Sequence, residues 1–155
     1  MTPEPQSVEY PTLLQGFVAP VLRVYPVYTV IAEKYQAMVM LGQANSRMKD
    51  FFDLAVIARQ TELDGATLAT AIAATFARRQ TPLPSDRPLA LTSQFSQDVA
   101  KMRQWEAFLN KNRIHAASLQ GTVALLHDLL WPPTQVAFNK SGATAMWAPA
   151  ELRWI

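Results

Sequence analysis

Apolar residues recur every three or four positions along most of this chain, in stretches separated by prolines, glycines and capping residues. From Thr29 to Leu41 the pattern is helical, with Thr29 placed to cap the start and Gly42 to stop the end. "SRMKDFFDLAVIARQ" forms a second helix, capped by Asn45 or Ser46, and Asp64 caps a third that ends before Pro82. After a proline-rich connector at 82–88, "SQDVAKMRQWEAFLNKN" supplies a fourth helix. "SLQGTVALLHDLLWPP" supplies a fifth, which Pro132 and Pro133 should stop at Trp131. Residues 1–26 carry five prolines, and within them "VLRVYP" alternates like a short strand, so this part reads as an edge or connecting segment. The tail from Thr134 to Ile155 has no sustained period and reads as a loop with a short extended piece. The pattern therefore predicts a mainly α fold, a bundle of about five helices with a short β or extended N-terminal segment. Its divisions are an extended segment at 1–26, a helical domain at 27–133 and an irregular tail at 134–155.

Composition narrows the class of protein without choosing a function. A chain of 155 residues, half of them apolar and 17% charged, can bury the core of one ordinary domain. Its net charge of +2 and pI near 9.1 permit contact with phosphates, but no block of Lys and Arg argues for nucleic acid. The absence of cysteine excludes disulfides, zinc–thiolate sites and thiol catalysis. The N-terminus lacks the pattern of a secretion signal and no apolar run would span a bilayer, so the expectation is a soluble, cytoplasmic protein with no membrane partner.

Charges inside apolar arcs are the unusual feature. On a helical wheel of about 100° per residue, Val30, Ile31, Met38 and Leu41 form an arc with Lys34 in its middle, while Glu33 and Gln36 lie on the polar side. Such a lysine either snorkels to water along apolar surface or stands in a cleft for an anionic ligand such as a nucleotide phosphate. In the second helix Lys49, Asp50 and Asp53 share a sector of about 100°, and apolar residues fill most of the remainder. Asp50 and Asp53, three residues apart, repel each other unless cations neutralise them, and Arg47 to Asp50 and Lys49 to Asp53 are the pairs within reach. An ion-pair network fastening the helix and a site with a carboxylate base or metal ligand both fit that pattern.

Two linked stretches, the "AEK" helix with Lys34 and "R-x-K-D-x-x-D-L" from Arg47 to Leu54, resemble motifs of the AbiEii/AbiGii-type nucleotidyltransferase toxins of abortive-infection and toxin–antitoxin systems. The likeness continues through "LDGATLATAIAATFARRQTPLP" and, more loosely, "QWEAFLNKNRI" and "LWPP", covering most of residues 8–133. It implies a fold with an N-terminal catalytic sheet and a C-terminal helical half. It also implies transfer of a nucleoside monophosphate from a nucleoside triphosphate, with Mg2+, to an acceptor that in some members is tRNA. By the same resemblance Lys34 contacts the triphosphate, Asp50 or Asp53 acts as base or completes the active site, and Arg47 and Lys49 orient those acids or touch phosphate.

The chain departs from the family pattern in one large respect. The family's catalytic front end carries a Gly-Gly or Gly-Ser turn followed by an Asp-x-Asp pair for magnesium, whereas here no two aspartates stand two apart and all five glycines are isolated. Without those acids the phosphates lose their principal charge neutralisation. The expectation is a C-terminal helical half, truncated, split or separately expressed and inactive alone, partnered by a separate catalytic half or an antitoxin. A non-catalytic helical protein-binding module and a degenerate remnant are the alternatives. His115 and His127 have no ligand spacing and are assigned no site, and Arg78 and Arg79 suit the end of the third helix. Lys101, Arg103, Lys111 and Arg113 spread around the fourth helix and read as solvated charge, while Trp105, Phe108 and Leu109 read as core. Trp131, Trp147 and Trp154 could fold the tail back onto the bundle.

Overall fold

The structure, a computed structural model, describes residues 20–140 and 145–155. Six helices and three short strands lie among them: α1 (Pro20–Leu41), α2 (Met48–Gln60), β1 (Leu63–Asp64), α3 (Gly65–Arg78), the single turn α4 (Ser93–Ser96), α5 (Val99–Asn112), α6 (Leu119–Asn139), β2 (Met146–Ala148) and β3 (Arg153–Trp154). The mainly α architecture matches the sequence pattern.

Helix α6 is the centre of the bundle. It packs against α3 on one side and α2 on another, and α3 in turn carries α1. Ile31, Tyr35 and Met38 of α1 meet Ile72 and Phe76 of α3 in one continuous core, where the rings of Tyr35 and Phe76 stand 5.5 Å apart. Phe51 of α2 stacks on Phe95 of α4 at 5.4 Å. Caps set several of the boundaries. The carboxylate of Asp64 accepts from Thr67 N at 2.8 Å, that of Asp98 from Lys101 N at 3.0 Å, and the Ser118 hydroxyl from Gly121 N at 3.0 Å, each satisfying an orphan donor of the first turn. Gly42, at φ +53°, takes the left-handed conformation where α1 ends.

Both ends of the helical part extend further than the apolar period predicts. "VLRVYP" is helix and not strand: six residues of alternation are too few to separate the two periods, and Pro20 suits the first helical position because its fixed φ and missing donor cost nothing there. Thr29 consequently lies inside α1 and caps nothing. Residues 1–19 of the expected extended segment lie outside the described residues. At the other end α6 does not stop at Trp131 but runs through Pro132 and Pro133 to Asn139. Pro132 has no N–H for the carbonyl of Asp128 four residues earlier, and the indole N–H of Trp154 donates to that carbonyl instead, at 3.0 Å. Thr134, just beyond the prolines, is hydrogen-bonded to Leu130 O at 2.6 Å and to the Tyr35 hydroxyl at 2.9 Å.

The tail is an antiparallel hairpin added to β1 in the order β1-β2-β3, with Leu63 opposite Trp147 and Trp147 opposite Trp154. Trp147 is fully buried, and its indole N–H donates to Ala58 O at 2.7 Å, one of the carbonyls that the end of α2 leaves without a helical partner. Gly65 is required where the chain passes the tail: a Cβ there would lie 2.8 Å from the Ala145 carbonyl oxygen, the acceptor of the Gly65 N–H. Trp147→Phe should lower unfolding free energy by about 1–3 kcal/mol by leaving the Ala58 carbonyl unpaired. Trp147→Ala should lower it by about 3–5 kcal/mol through the added cavity. Urea titration of both variants checks the order.

Candidate functional site

The charges singled out by the wheel converge where α1 crosses the first turns of α2. Lys34 Nζ lies 3.0 Å from Asp50 Oδ1 and 3.2 Å from Asp53 Oδ2, bridging the two acids. Arg47 Nε is 3.0 Å from Asp50 Oδ2, and Lys49 Nζ is 2.7 Å from Asp53 Oδ2. Asp50 and Asp53 fall side by side because they are three residues apart on one helix, and Lys34 reaches them because it occupies the packing face of the other. Five charged residues thus form one cluster of three cations and two acids.

Burial grades sharply across the cluster. The Asp50 side chain is 7% exposed, Asp53 and Lys34 about a quarter, and Arg47 and Lys49 mostly exposed. The inner members are therefore fixed by packing, whereas the two outer cations stand at the rim with free reach into solvent. Asp50 Oδ2 has the Arg47 guanidinium beside it but no donor N–H aligned on it among the described residues, so that pair is held by charge more than by a directed hydrogen bond.

Burial of the Lys34 ammonium pulls its proton affinity down, but hydrogen bonds to Asp50 and Asp53, with the charges of those acids, more than offset this and leave its pKa above the ordinary lysine value. Tyr28 is raised first by burial and further by the charges of Asp64 and Glu62, against the hydrogen bond its hydroxyl accepts from Asp64 N at 2.7 Å. Tyr35 is raised strongly by burial, against its hydrogen bond with Thr134.

The donor chemistry does not fit a divalent metal. Both acids are already matched by three cations, and among the described residues no group of three or more His, Asp or Glu side chains could hold an ion. The cluster's excess is one positive charge, which suits an anion.

The structure brings together the five residues that the sequence singled out, and it has both local pairs, Arg47 with Asp50 and Lys49 with Asp53. Sequence reasoning misread two neighbours. Gln36 is not on a polar face but 1% exposed, donating to Thr81 Oγ1 at 2.9 Å and accepting from Arg79 at 3.1 Å. Lys101 is not solvated but 5% exposed, its ammonium 2.6 Å from Asn45 O and over the Phe95 ring. The signal was present, because Lys101 stands four residues before Trp105 and seven before Phe108, on the apolar arc of its own helix. Arg78 and Arg79 pair with Glu33 of α1 at 3.4 and 3.6 Å as well as closing α3.

The family model described as the nucleotidyl transferase AbiEii toxin of type IV toxin–antitoxin systems matches residues 1–129, a span that includes the whole cluster. The chain belongs to this family. No curated protein and no solved structure matches it. Among the described residues no helix is long and apolar enough to cross a membrane.

Two consequences are measurable. Asp50→Asn should lower stability by about 3 kcal/mol, the bottom of the range for breaking a buried pair, because Lys34 keeps Asp53. Asp53→Asn, at the wetter position, should cost less than about 1 kcal/mol. Lys34, Tyr28 and Tyr35 bind their protons more tightly folded than unfolded, so their contribution is complete below about pH 10, where the unfolded groups titrate, and is lost as pH rises through the elevated folded values. Urea midpoints measured from pH 8 to 11 should hold level and then fall.

Proposed function

We propose that this chain supplies the helical part of a nucleotidyltransferase toxin's active site. In this reading Lys34, Arg47 and Lys49 receive the triphosphate of a nucleotide, and a carboxylate of the Asp50–Asp53 pair serves the acceptor. The observation that carries it is the cluster itself, with three cations for two acids and the outer cations exposed at a rim where they can turn from carboxylate to phosphate. Of the two acids Asp53 is the better placed for proton transfer, because Asp50 is enclosed between Lys34 and Arg47.

The reaction proposed for the assembled site is nucleotidyl transfer to an acceptor such as tRNA. An acceptor hydroxyl oxygen attacks the α-phosphorus, the bond to the bridging oxygen breaks, pyrophosphate leaves, and the hydroxyl proton passes to the carboxylate. Magnesium supplies charge neutralisation for such chemistry, and this cluster is not its site. The Gly-Ser turn and Asp-x-Asp acids that would hold it are absent from the 155-residue sequence, so we assign them to a separate catalytic half and expect no transfer by this chain alone. Toxin family membership also supports an antitoxin as partner.

The test is binding of a nucleoside triphosphate with magnesium, by isothermal titration, to the chain alone and after mixing with the product of an adjacent upstream reading frame. The reading expects weak binding alone, tightened on mixing, and roughly a tenfold loss when Lys34 is replaced by Met. Negligible binding in both cases overturns it and favours a non-catalytic protein-binding module or a degenerate remnant. In that case the double variant Asp50→Asn with Asp53→Asn would lose stability with no binding to lose.

A further inference from the structure

A lysine buried from α5 points at the strand of chain that leads into α2. Lys101 is 5% exposed, and among the described residues no carboxylate lies within 4 Å of its ammonium; its partners are Asn45 O at 2.6 Å, Gln104 Oε1 at 3.4 Å and the face of Phe95 at 5.5 Å. A buried cation that takes a main-chain carbonyl in place of an acid contributes little as an ion pair, so its position calls for another account. Asn45, itself 1% exposed, uses both oxygens: the main-chain oxygen accepts from Lys101, and Oδ1 accepts from Arg47 N at 2.8 Å in a side-chain turn of the kind asparagine favours. Its Nδ2 has no partner among the described residues, and its main-chain N–H donates back to Gly42 O at 3.1 Å, so the two oxygens are its links forward, to α5 and to the start of α2. Arg47 is the residue at the N-cap of α2, it has no side-chain cap, and its guanidinium lies beside Asp50. The links run in one line, from Lys101 to Asn45, to Arg47, to Asp50.

We propose that Lys101 is a positioning residue of the acid–base cluster: it fixes the carbonyl of Asn45, and through that residue sets the start of α2 so that Arg47 stands against Asp50 at the rim. The proposal rests, for its effect on ligand binding, on the nucleotide reading given above. Nothing in the pattern of the two family motifs includes Lys101, which lies more than fifty residues from Asn45 in sequence.

The test compares the full chain as wild type, as Lys101→Met and as Trp105→Phe. Methionine keeps the unbranched apolar stem of the side chain and removes the ammonium donor. Trp105→Phe disturbs the same helix by removing the indole bond to Ala117 O, without touching Asn45. Amide hydrogen exchange at Arg47 and the Nε–H resonance of the same residue are followed by NMR, together with ATP affinity. Lys101→Met should speed exchange at Arg47 by roughly tenfold, the loss of one charge-assisted bond, shift its Nε–H resonance and weaken ATP binding about as much, while amides of α6 stay protected. Trp105→Phe should leave Arg47 unchanged. Equal acceleration in both variants, or none in Lys101→Met, overturns the proposal and leaves Lys101 as packing. If the wild type binds no ATP either alone or with the upstream product, the nucleotide reading fails and the exchange comparison still decides the role of Lys101. If Lys101→Met does not fold, the wild-type ammonium decides it: slowly exchanging Lys101 Nζ protons coupled to the Asn45 carbonyl support the link, and their absence overturns it.

Discussion

Two carboxylates three residues apart on one helix repel each other, and among the described residues the one cation that touches both comes from a different helix. Lys34 reaches Asp50 and Asp53 from α1, and the organisation around the cluster follows from that bridge. Among the described residues α1 packs mainly on α3 and meets α2 only sparingly. The bridge is therefore a direct polar link between the two motif-bearing helices, added to the apolar core that both of them enter. Arg47 and Lys49 complete the neutralisation locally, each within a turn of its acid, and leave the cluster with a net positive face.

Elsewhere a second kind of fastening recurs, donors that reach main-chain carbonyls. Trp105, Trp147 and Trp154 each give an indole N–H to a main-chain carbonyl outside their own element, and Lys101 gives its ammonium to a fourth. Two of these acceptors are available because a helix has failed to use them: Ala58 lies at the end of α2, and Asp128 stands four residues before Pro132. The hairpin of residues 146–154 is thus anchored at the places where the helical ladder has gaps, which is how a segment of so few residues comes to be held firmly.

What the sequence made legible was whatever is encoded by neighbours. Asp64 as a cap, the helical periods of α2 and α3, and the two local ion pairs in "RMKDFFD" depend on spacings of three or four, and the structure has them all. Lys34 could be seen to be oddly placed, and the family resemblance set it around one cleft with the two acids, but nothing in the sequence paired it with them, because wheel geometry alone cannot bring α1 onto α2. The misreadings share one cause, a distant group that changes what a local rule costs. Pro132 and Pro133 should end a helix, but Trp154 takes a carbonyl they release. Gln36 should face water, and Lys101, though on an apolar arc, carries a charge that should reach it, but Thr81 and Asn45 receive them in the interior. No spacing within a single helix announces such partners.

The hairpin has a temporal side as well. β1 can find its neighbour only when β2 has been made, about 80 residues later, which takes roughly 4–16 s at ordinary rates of protein synthesis. During that interval the end of α2 lacks its indole donor and the space filled by Trp147 stands open, although every residue of the Lys34–Asp50–Asp53 cluster has already been translated. A chain built this way has its charged motif translated early and the contacts that close the far end of α2 translated late.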